Sequence, residues 1–147
     1  MCLLAAVPVV ALCNVVGQRA TTAHASSPAA NLVVRSPSAI RPGDIYQAKI
    51  TVTAVGAALP QAQLVLGSGW IDGLTMNTTQ PTPTNESSGP NGSLVFDIGT
   101  VQPGQPYVEY LEFQVNPTSI SRRSQVVTVL SNKTPVVSLN RTMTIIP

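Results

Sequence analysis

Residues 96 to 115, FDIGTVQPGQPYVEYLEFQV, constrain the fold more than any other stretch, because they have the pattern of two strands joined by a turn. Apolar residues occupy every second position on either side of the turn: Leu94, Phe96 and Ile98 before it, and Leu111, Phe113 and Val115 after it. A period of two is that of half-buried β-strands. Pro103-Gly104 between them suits a type II turn, since proline fixes φ and glycine accepts a positive φ. The connection is long enough for either a hairpin or a corner that crosses between two sheets.

Similar β-rich runs recur after residue 30, and the clearest covers residues 45–53, where apolar and polar side chains alternate. The other runs lie at 32–36, 61–66, 93–98, 107–115, 124–131 and 136–146. Residues 79–93 hold three prolines and no apolar residue, which predicts a long exposed loop. Asn132 to Pro135 predict a hairpin loop. About seven short strands without helical periodicity predict an all-β fold, an immunoglobulin-like β-sandwich over residues 31–147.

The composition excludes several classes of function. Charged residues make up 10% of the 147 residues, and the net charge is only +2, whereas ordinary globular proteins are about 25% charged. The basic residues are scattered apart from Arg122-Arg123, so the chain lacks the basic patch that nucleic-acid binding requires. Both cysteines, Cys2 and Cys13, precede the predicted domain, which therefore has no disulfide framework.

Residues 1–16 are predicted to be an apolar signal or anchor segment. The run from residue 2 to residue 16 would span roughly 22 Å as a helix, short of the ~30 Å bilayer core. No Lys or Arg precedes it, and a start codon placed upstream would restore a basic flank and a full span. We favour a retained membrane anchor over cleavage after Ala25, which would secrete the chain; a buried strand or helix of the domain is the third interpretation.

Residues 17–30, GQRATTAHASSPAA, have the small and polar composition of a flexible linker. The single histidine, His24, lies in this segment, where a metal site would have no rigid partners. The interpretation as a solvated linker residue is therefore favoured.

No catalytic, metal or cofactor site is predicted. The six acidic residues are far apart and form neither a paired-carboxylate motif nor a calcium loop. A Ser-His-Asp triad cannot be assembled in the domain, because its histidine would have to come from the linker. Neither Gly67-Ser68-Gly69 nor Pro103-Gly104 has the pattern of a phosphate loop.

Trp70 is the most informative single side chain, and it has two interpretations. Beside a glycine-rich turn, an exposed tryptophan would be a platform for a sugar ring or a partner. In a chain with only 4% aromatic residues it is also the natural centre of the core, and we favour the core. Tyr107 and Tyr110 are expected on opposite faces of their strand.

Four phrases carry a resemblance to a known family. YQAKITVT (46–53), GWIDGLT (69–75) and FDIGTVQPGQ (96–105), which leads into LEFQVNP (111–117), resemble bacterial surface domains of immunoglobulin-like fold, of the conserved-repeat and cell-adhesion-related type. The order of apolar start, stalk and one domain is similar to that of small membrane-anchored proteins of actinobacteria. The resemblance implies export, an anchor and a β-sandwich, and it brings no catalytic residue. The short, uncharged N-terminus departs from the pattern.

These observations together favour a non-enzymatic, membrane-tethered domain on the extracytoplasmic side of the cell membrane. Its expected partner is a protein or a component of the cell envelope. The alternative is a carbohydrate or cell-wall binding module that uses Trp70 and the 79–93 loop. A hydrolase is disfavoured because the catalytic residues are missing.

Overall fold

The computed structural model describes residues 19–147, so the predicted apolar segment 1–16 lies outside the described residues. This part of the chain forms eleven strands: β1 (Ala20–Ser26), β2 (Ala30–Pro37), β3 (Ala39–Ile40), β4 (Ile45–Ala54), β5 (Leu59–Leu66), β6 (Leu74–Gln80), β7 (Asn85–Ser88), β8 (Leu94–Val101), β9 (Tyr107–Val115), β10 (Ser121–Ser131) and β11 (Thr134–Ile145). Two short 3₁₀ helices, Ser68–Trp70 and Pro90–Gly92, lie between strands. No helix within residues 19–147 is long and apolar enough to cross a bilayer.

The strands form two sheets that enclose one apolar core. A five-stranded sheet has the order β1-β2-β4-β9-β6, and a six-stranded sheet has the order β3-β11-β10-β5-β8-β7. Strand β4 buries every second residue from Tyr46 to Ala54, because alternate side chains of a strand point to the same face. Phe96 of one sheet and Phe113 of the other are fully buried. The predicted all-β sandwich is confirmed.

The segment between β8 and β9 is a corner and not a hairpin. Strand β8 pairs with β5 and β7, whereas β9 pairs with β4 and β6 in the other sheet. Residues 102–106 therefore cross from one layer to the other. Gly104 in this connection has a φ of +81°, which agrees with the predicted role of glycine in the turn.

The structure corrects the prediction of a flexible linker over residues 17–30. Residues 20–26 form β1, which pairs antiparallel with β2 from Ala20 opposite Pro37 to Ser26 opposite Asn31. The backbone ladder holds this strand although its side chains are small and polar, and Ala23 and Ala25 pack against the core. His24 is exposed on this edge strand.

Two predicted loops also contain more regular structure than expected. Residues 85–88 of the predicted 79–93 loop form β7, which is exposed throughout and pairs with β8. The β10–β11 connection is a tight turn at Asn132 and Lys133, whose φ angles are +51° and +63°. Two successive positive φ angles are those of a type I′ hairpin turn, which matches the twist of the strands it joins.

Candidate functional site

Trp70 lies in the core and not on the surface. The 3₁₀ helix Ser68–Trp70 turns its indole inward, and the residue is 0% exposed. Its ring contacts Phe113 at 5.8 Å between centroids, and Phe113 stacks on Tyr46 at 5.5 Å. The ring therefore has no free face for a sugar, and the structure does not place Trp70 at a ligand contact.

A row of five outward side chains crosses the whole five-stranded sheet. Register pairs join Thr22 to Arg35, Arg35 to Lys49, Lys49 to Tyr110 and Tyr110 to Gln80, one residue from each strand. All five are exposed. We call this set the Tyr110 row. It concentrates two cations, one aromatic ring, a hydroxyl and an amide along one line of the surface.

The aromatic member of the row offers a ring to solvent. Tyr110 is 38% exposed, and it is the one exposed aromatic side chain within residues 19–147. Lys49 places its Nζ 5.8 Å from the ring centroid, close enough for a cation–π interaction. Tyr107, three residues earlier on the same strand, packs partly against the core. The expected division of the two tyrosines between opposite faces is thus observed.

The two cations of the row are adjacent, and neither has a carboxylate partner within residues 19–147. Arg35 and Lys49 lie directly opposite one another on β2 and β4, where side chains are about 5 Å apart and like charges are unfavourable. Glu112 lies two residues after Tyr110 on β9. Its carboxylate accepts a hydrogen bond from Asn77 and not from Arg35 or Lys49. An anionic group bound between Arg35 and Lys49 would relieve their repulsion.

Two shallow grooves flank the row and share the side chains of Gln47 and Tyr110. One has a volume of about 430 Å³ and is completed by Gln80, Pro81 and Val108. The other has a volume of about 310 Å³ and is completed by Ala20, Arg35 and Lys49. Both volumes are in the range of small-ligand sites, roughly 300–1,000 Å³.

A buried polar cluster centred on Arg141 lies inside the sandwich at the β2–β3 crossing. Arg141 is 8% exposed and donates to Gln125 Oε1 at 2.8 Å and to the carbonyl of Ser36 at 2.8 Å. Burial raises the pKa of Tyr46 to about 12, and the Gln125 side chain and the charge of Arg141 partly offset this. These contacts hold the two sheets together.

Tyr107 and Glu109 form a second polar pair, on the core face of β9. The hydroxyl of Tyr107 donates a hydrogen bond to Oε2 of Glu109, whose side chain is fully buried. Burial raises the pKa of the Glu109 carboxyl, and the hydrogen bond from Tyr107 partly offsets the rise. The same burial and the neighbouring carboxylate raise the pKa of Tyr107.

Within residues 19–147 no cluster of His, Cys, Asp and Glu side chains could hold a metal ion. His24 is exposed on the edge strand β1, and residues 20–26 contain no carboxylate or cysteine.

Sequence reasoning did not find the Tyr110 row. Alternation within each strand shows that Lys49 and Tyr110 point outward, but it does not show that they are neighbours. That relationship depends on the register between strands separated by about 60 residues of chain. The one feature of the sequence that pointed to this surface was the expected placement of Tyr110 on the face opposite Tyr107.

No protein-family model matches the chain, and no curated protein has a matching sequence. Solved structures do match. The CARDB domain of the PF1109 protein from Pyrococcus furiosus, solved in complex with di-metal ions, has a TM-score of 0.51 at 13% identity, covering 86% of this chain and 95% of that one. A cohesin module of a family 33 glycoside hydrolase from Clostridium perfringens has a TM-score of 0.50 at 14% identity, covering 82% and 98%.

The sporulation control protein Spo0M from Bacillus subtilis has a TM-score of 0.49 at 15% identity, covering 81% of this chain, and the match spans half of Spo0M. At such low identities the likeness concerns the fold alone. The CARDB and cohesin matches agree with a sandwich of two β-sheets. The chain is an immunoglobulin-like β-sandwich.

Proposed function

We propose that the protein is a non-enzymatic, membrane-tethered domain on the extracytoplasmic side of the cell membrane, and that it holds an acidic protein partner against the outer face of the five-stranded sheet. The apolar residues 2–16 supply the predicted tether. The single observation that carries the proposal is the Tyr110 row, in which Arg35 and Lys49 are adjacent cations without a carboxylate partner in the part of the chain that the structure describes.

The composition of the row explains how it would bind. Arg35 provides a planar guanidinium that can hold a carboxylate through two hydrogen bonds. Lys49 is held over the Tyr110 ring, so less side-chain entropy is lost when an anion binds beside it. Tyr110 adds the aromatic contact that is typical of interface centres.

Binding to synthetic polymers tests this surface. We expect the full chain to bind a polyglutamate peptide, and the double variant Arg35→Gln with Lys49→Gln to bind at least about tenfold more weakly. The double variant Arg41→Gln with Arg122→Gln removes the same charge from exposed positions elsewhere and should bind like the wild type. Equal loss in both double variants would show that net charge, and not this face, governs binding.

A carbohydrate or cell-wall binding module is the second candidate, and exposure of Tyr110 beside two grooves favours it. Sugar rings stack on exposed aromatic side chains through their apolar faces. Polygalacturonate and neutral dextran are the discriminating probes. If either binds more tightly than polyglutamate and loses affinity on Tyr110→Ala, the carbohydrate function replaces the protein-binding one. If the wild type binds none of the three polymers, both functions of this face are wrong.

Reporter fusions test the location separately. A reporter that is active only outside the cytoplasm should be active when fused after Pro147. Activity of a cytoplasm-specific reporter at the same position would contradict the proposed topology.

A further inference from the structure

A third groove lies on the other sheet, away from the Tyr110 row. It has a volume of about 290 Å³ and is lined by residues of β5, β8, the β6–β7 loop and the β10–β11 turn, chiefly Gln61, Gln63, Thr84, Asp97 and Lys133. Gln63 precedes the buried Leu64, and Asp97 follows the buried Phe96. Both Gln63 and Asp97 therefore point outward. The groove is therefore independent of the surface to which the proposed function is assigned.

The groove is present because the β5–β8 ladder is broken beside it. The register shifts between Leu59 and Ala62 and again between Ala62 and Gln63. Gly99, opposite Ala62, has a φ of +78°. Such bulges locally end the pairing and redirect side chains, and they are over-represented next to functional sites.

Two residues that line the groove have backbone conformations that are unfavourable for their side chains. Gln61 has a φ of +48° and Lys133 has a φ of +63°. A non-glycine residue costs roughly 1 kcal/mol or more in this region. The two-residue turn at Asn132 and Lys133 strongly favours Asn-Gly, so glycine in place of Lys133 would be less strained.

The groove also holds opposite charges that do not pair with each other. Asp97 accepts a hydrogen bond from Gln63 Nε2 at 2.6 Å through Oδ1, which fixes the carboxylate and leaves Oδ2 directed to other donors. Within residues 19–147 neither Asp97 nor Lys133 forms an ion pair. A cation and an anion that line one groove are complementary to a ligand that carries both charges.

We propose that this groove binds a small zwitterionic ligand of the α-amino acid class. Asp97 receives the ligand's ammonium group, and Lys133 receives its carboxylate. The amide of Gln61 and the hydroxyl of Thr84 are the further hydrogen-bonding groups at the rim. The volume of 290 Å³ is at the lower end of the range for small-molecule sites, roughly 300 Å³, which fits one small molecule and not a polymer.

A matched set of ligands tests the charge requirement on the full chain. The probes are L-glutamine, N-acetyl-L-glutamine, which lacks the ammonium, and L-glutamine amide, which lacks the carboxylate. Saturation-transfer NMR at millimolar concentration should show binding of L-glutamine and at least about tenfold weaker binding of the other two. Equal binding of all three, or no binding of L-glutamine, would overturn the proposal.

Two variants of one turn then locate the site. Lys133→Gly should abolish L-glutamine binding and raise the temperature of thermal unfolding, because it removes the ammonium together with the backbone strain. Asn132→Gly relieves strain at the adjacent position, keeps Lys133 and should leave binding unchanged. Asp97→Asn retains the acceptor for Gln63 and should abolish binding. Full affinity in Lys133→Gly or in Asp97→Asn would show that the groove is not the site.

Discussion

The guanidinium of Arg141, on β11, donates a hydrogen bond from Nη2 to the backbone carbonyl of Ser36, 2.8 Å away in the opposite sheet. The same nitrogen lies 3.1 Å from the carbonyl of Pro37, and Nη1 reaches Gln125 on the neighbouring strand. The chain leaves the five-stranded sheet at this point to form β3. One side chain thus satisfies the carbonyl groups that the departing strand exposes between the layers, where unpaired polar groups are costly.

Replacing Arg141 should therefore destabilise the fold. We expect Arg141→Met to lower the free energy of unfolding by about 2 to 3 kcal/mol, since it leaves the carbonyls of Ser36 and Pro37 and the amide of Gln125 without this donor. Urea denaturation measures the change. Arg122→Met, at an exposed position of β10, removes the same charge and should alter the free energy of unfolding by less than about 0.5 kcal/mol. Equal losses in the two variants would contradict the role of Arg141.

Glu109 should make stability depend on pH. Burial raises the pKa of its carboxyl above the ordinary 4.5, so the folded state retains a proton that the unfolded chain has released. The contribution of this group to stability is fully present below pH 4.5 and is lost as the pH rises through the folded-state pKa. Glu109→Gln should consequently unfold at a progressively higher temperature than the wild type as the pH rises above 4.5 toward the folded-state pKa of Glu109.

The control for removing one negative charge is Glu112→Gln, which lies on the outward face of the same strand. A stability difference that widens equally with pH in both variants would assign the effect to net charge and not to the burial of Glu109.

Gly69 should not tolerate a side chain. A Cβ at this position would lie 1.8 Å from the backbone oxygen of Ser124, which cannot move without disturbing β10. We expect Gly69→Ala to lower the free energy of unfolding by about 2 kcal/mol or more. Gly67→Ala, in the same turn, places its Cβ 3.3 Å from that of Val126 and should be milder. A smaller loss for Gly69→Ala than for Gly67→Ala would contradict the close approach.

Trp70, the single tryptophan, should report the core directly by its fluorescence. Because the indole is fully buried, the folded protein should emit at short wavelength and resist quenching by iodide, and both properties should be lost in urea. Trp70→Phe keeps an aromatic ring against Phe113 and provides the blank. Ready quenching in the folded protein would place the indole at the surface and restore it as a ligand platform.

The strands that bury one full face were predictable from sequence, and β4 and β9 show why. Their alternation is strict from Tyr46 to Val52 and from Glu109 to Val115, because each lies at the interior of a sheet and packs on one side. Strand β1 was not predictable in this way. Its residues are small or polar, and backbone hydrogen bonds to β2 hold it in place. The pattern of side chains in a sequence does not reveal such backbone pairing.

The candidate sites depend on relationships that a linear pattern does not contain. The Tyr110 row requires that Arg35, Lys49 and Tyr110 be in register across three strands. The groove beside Asp97 requires a bulge in β5 and a turn that directs Lys133 toward it. The alternation in a sequence predicts which face of its strand a residue occupies. It does not predict which residue of a distant strand lies opposite, because that register is fixed only when the sheets assemble.

The crossing of residues 102–106 between the sheets also bears on how quickly the domain can fold. Strand β9 pairs with β4 and β6 rather than with β8, the strand just before it. Many of the strand pairs thus join distant parts of the chain. Long loops must close before these pairs form, and the entropy cost of closure precedes the stabilisation by native contacts. Folding times of milliseconds to seconds are usual for such topologies. Residues 96 to 115 are consequently not expected to form an isolated hairpin early in folding, because β8 and β9 pair with different strands.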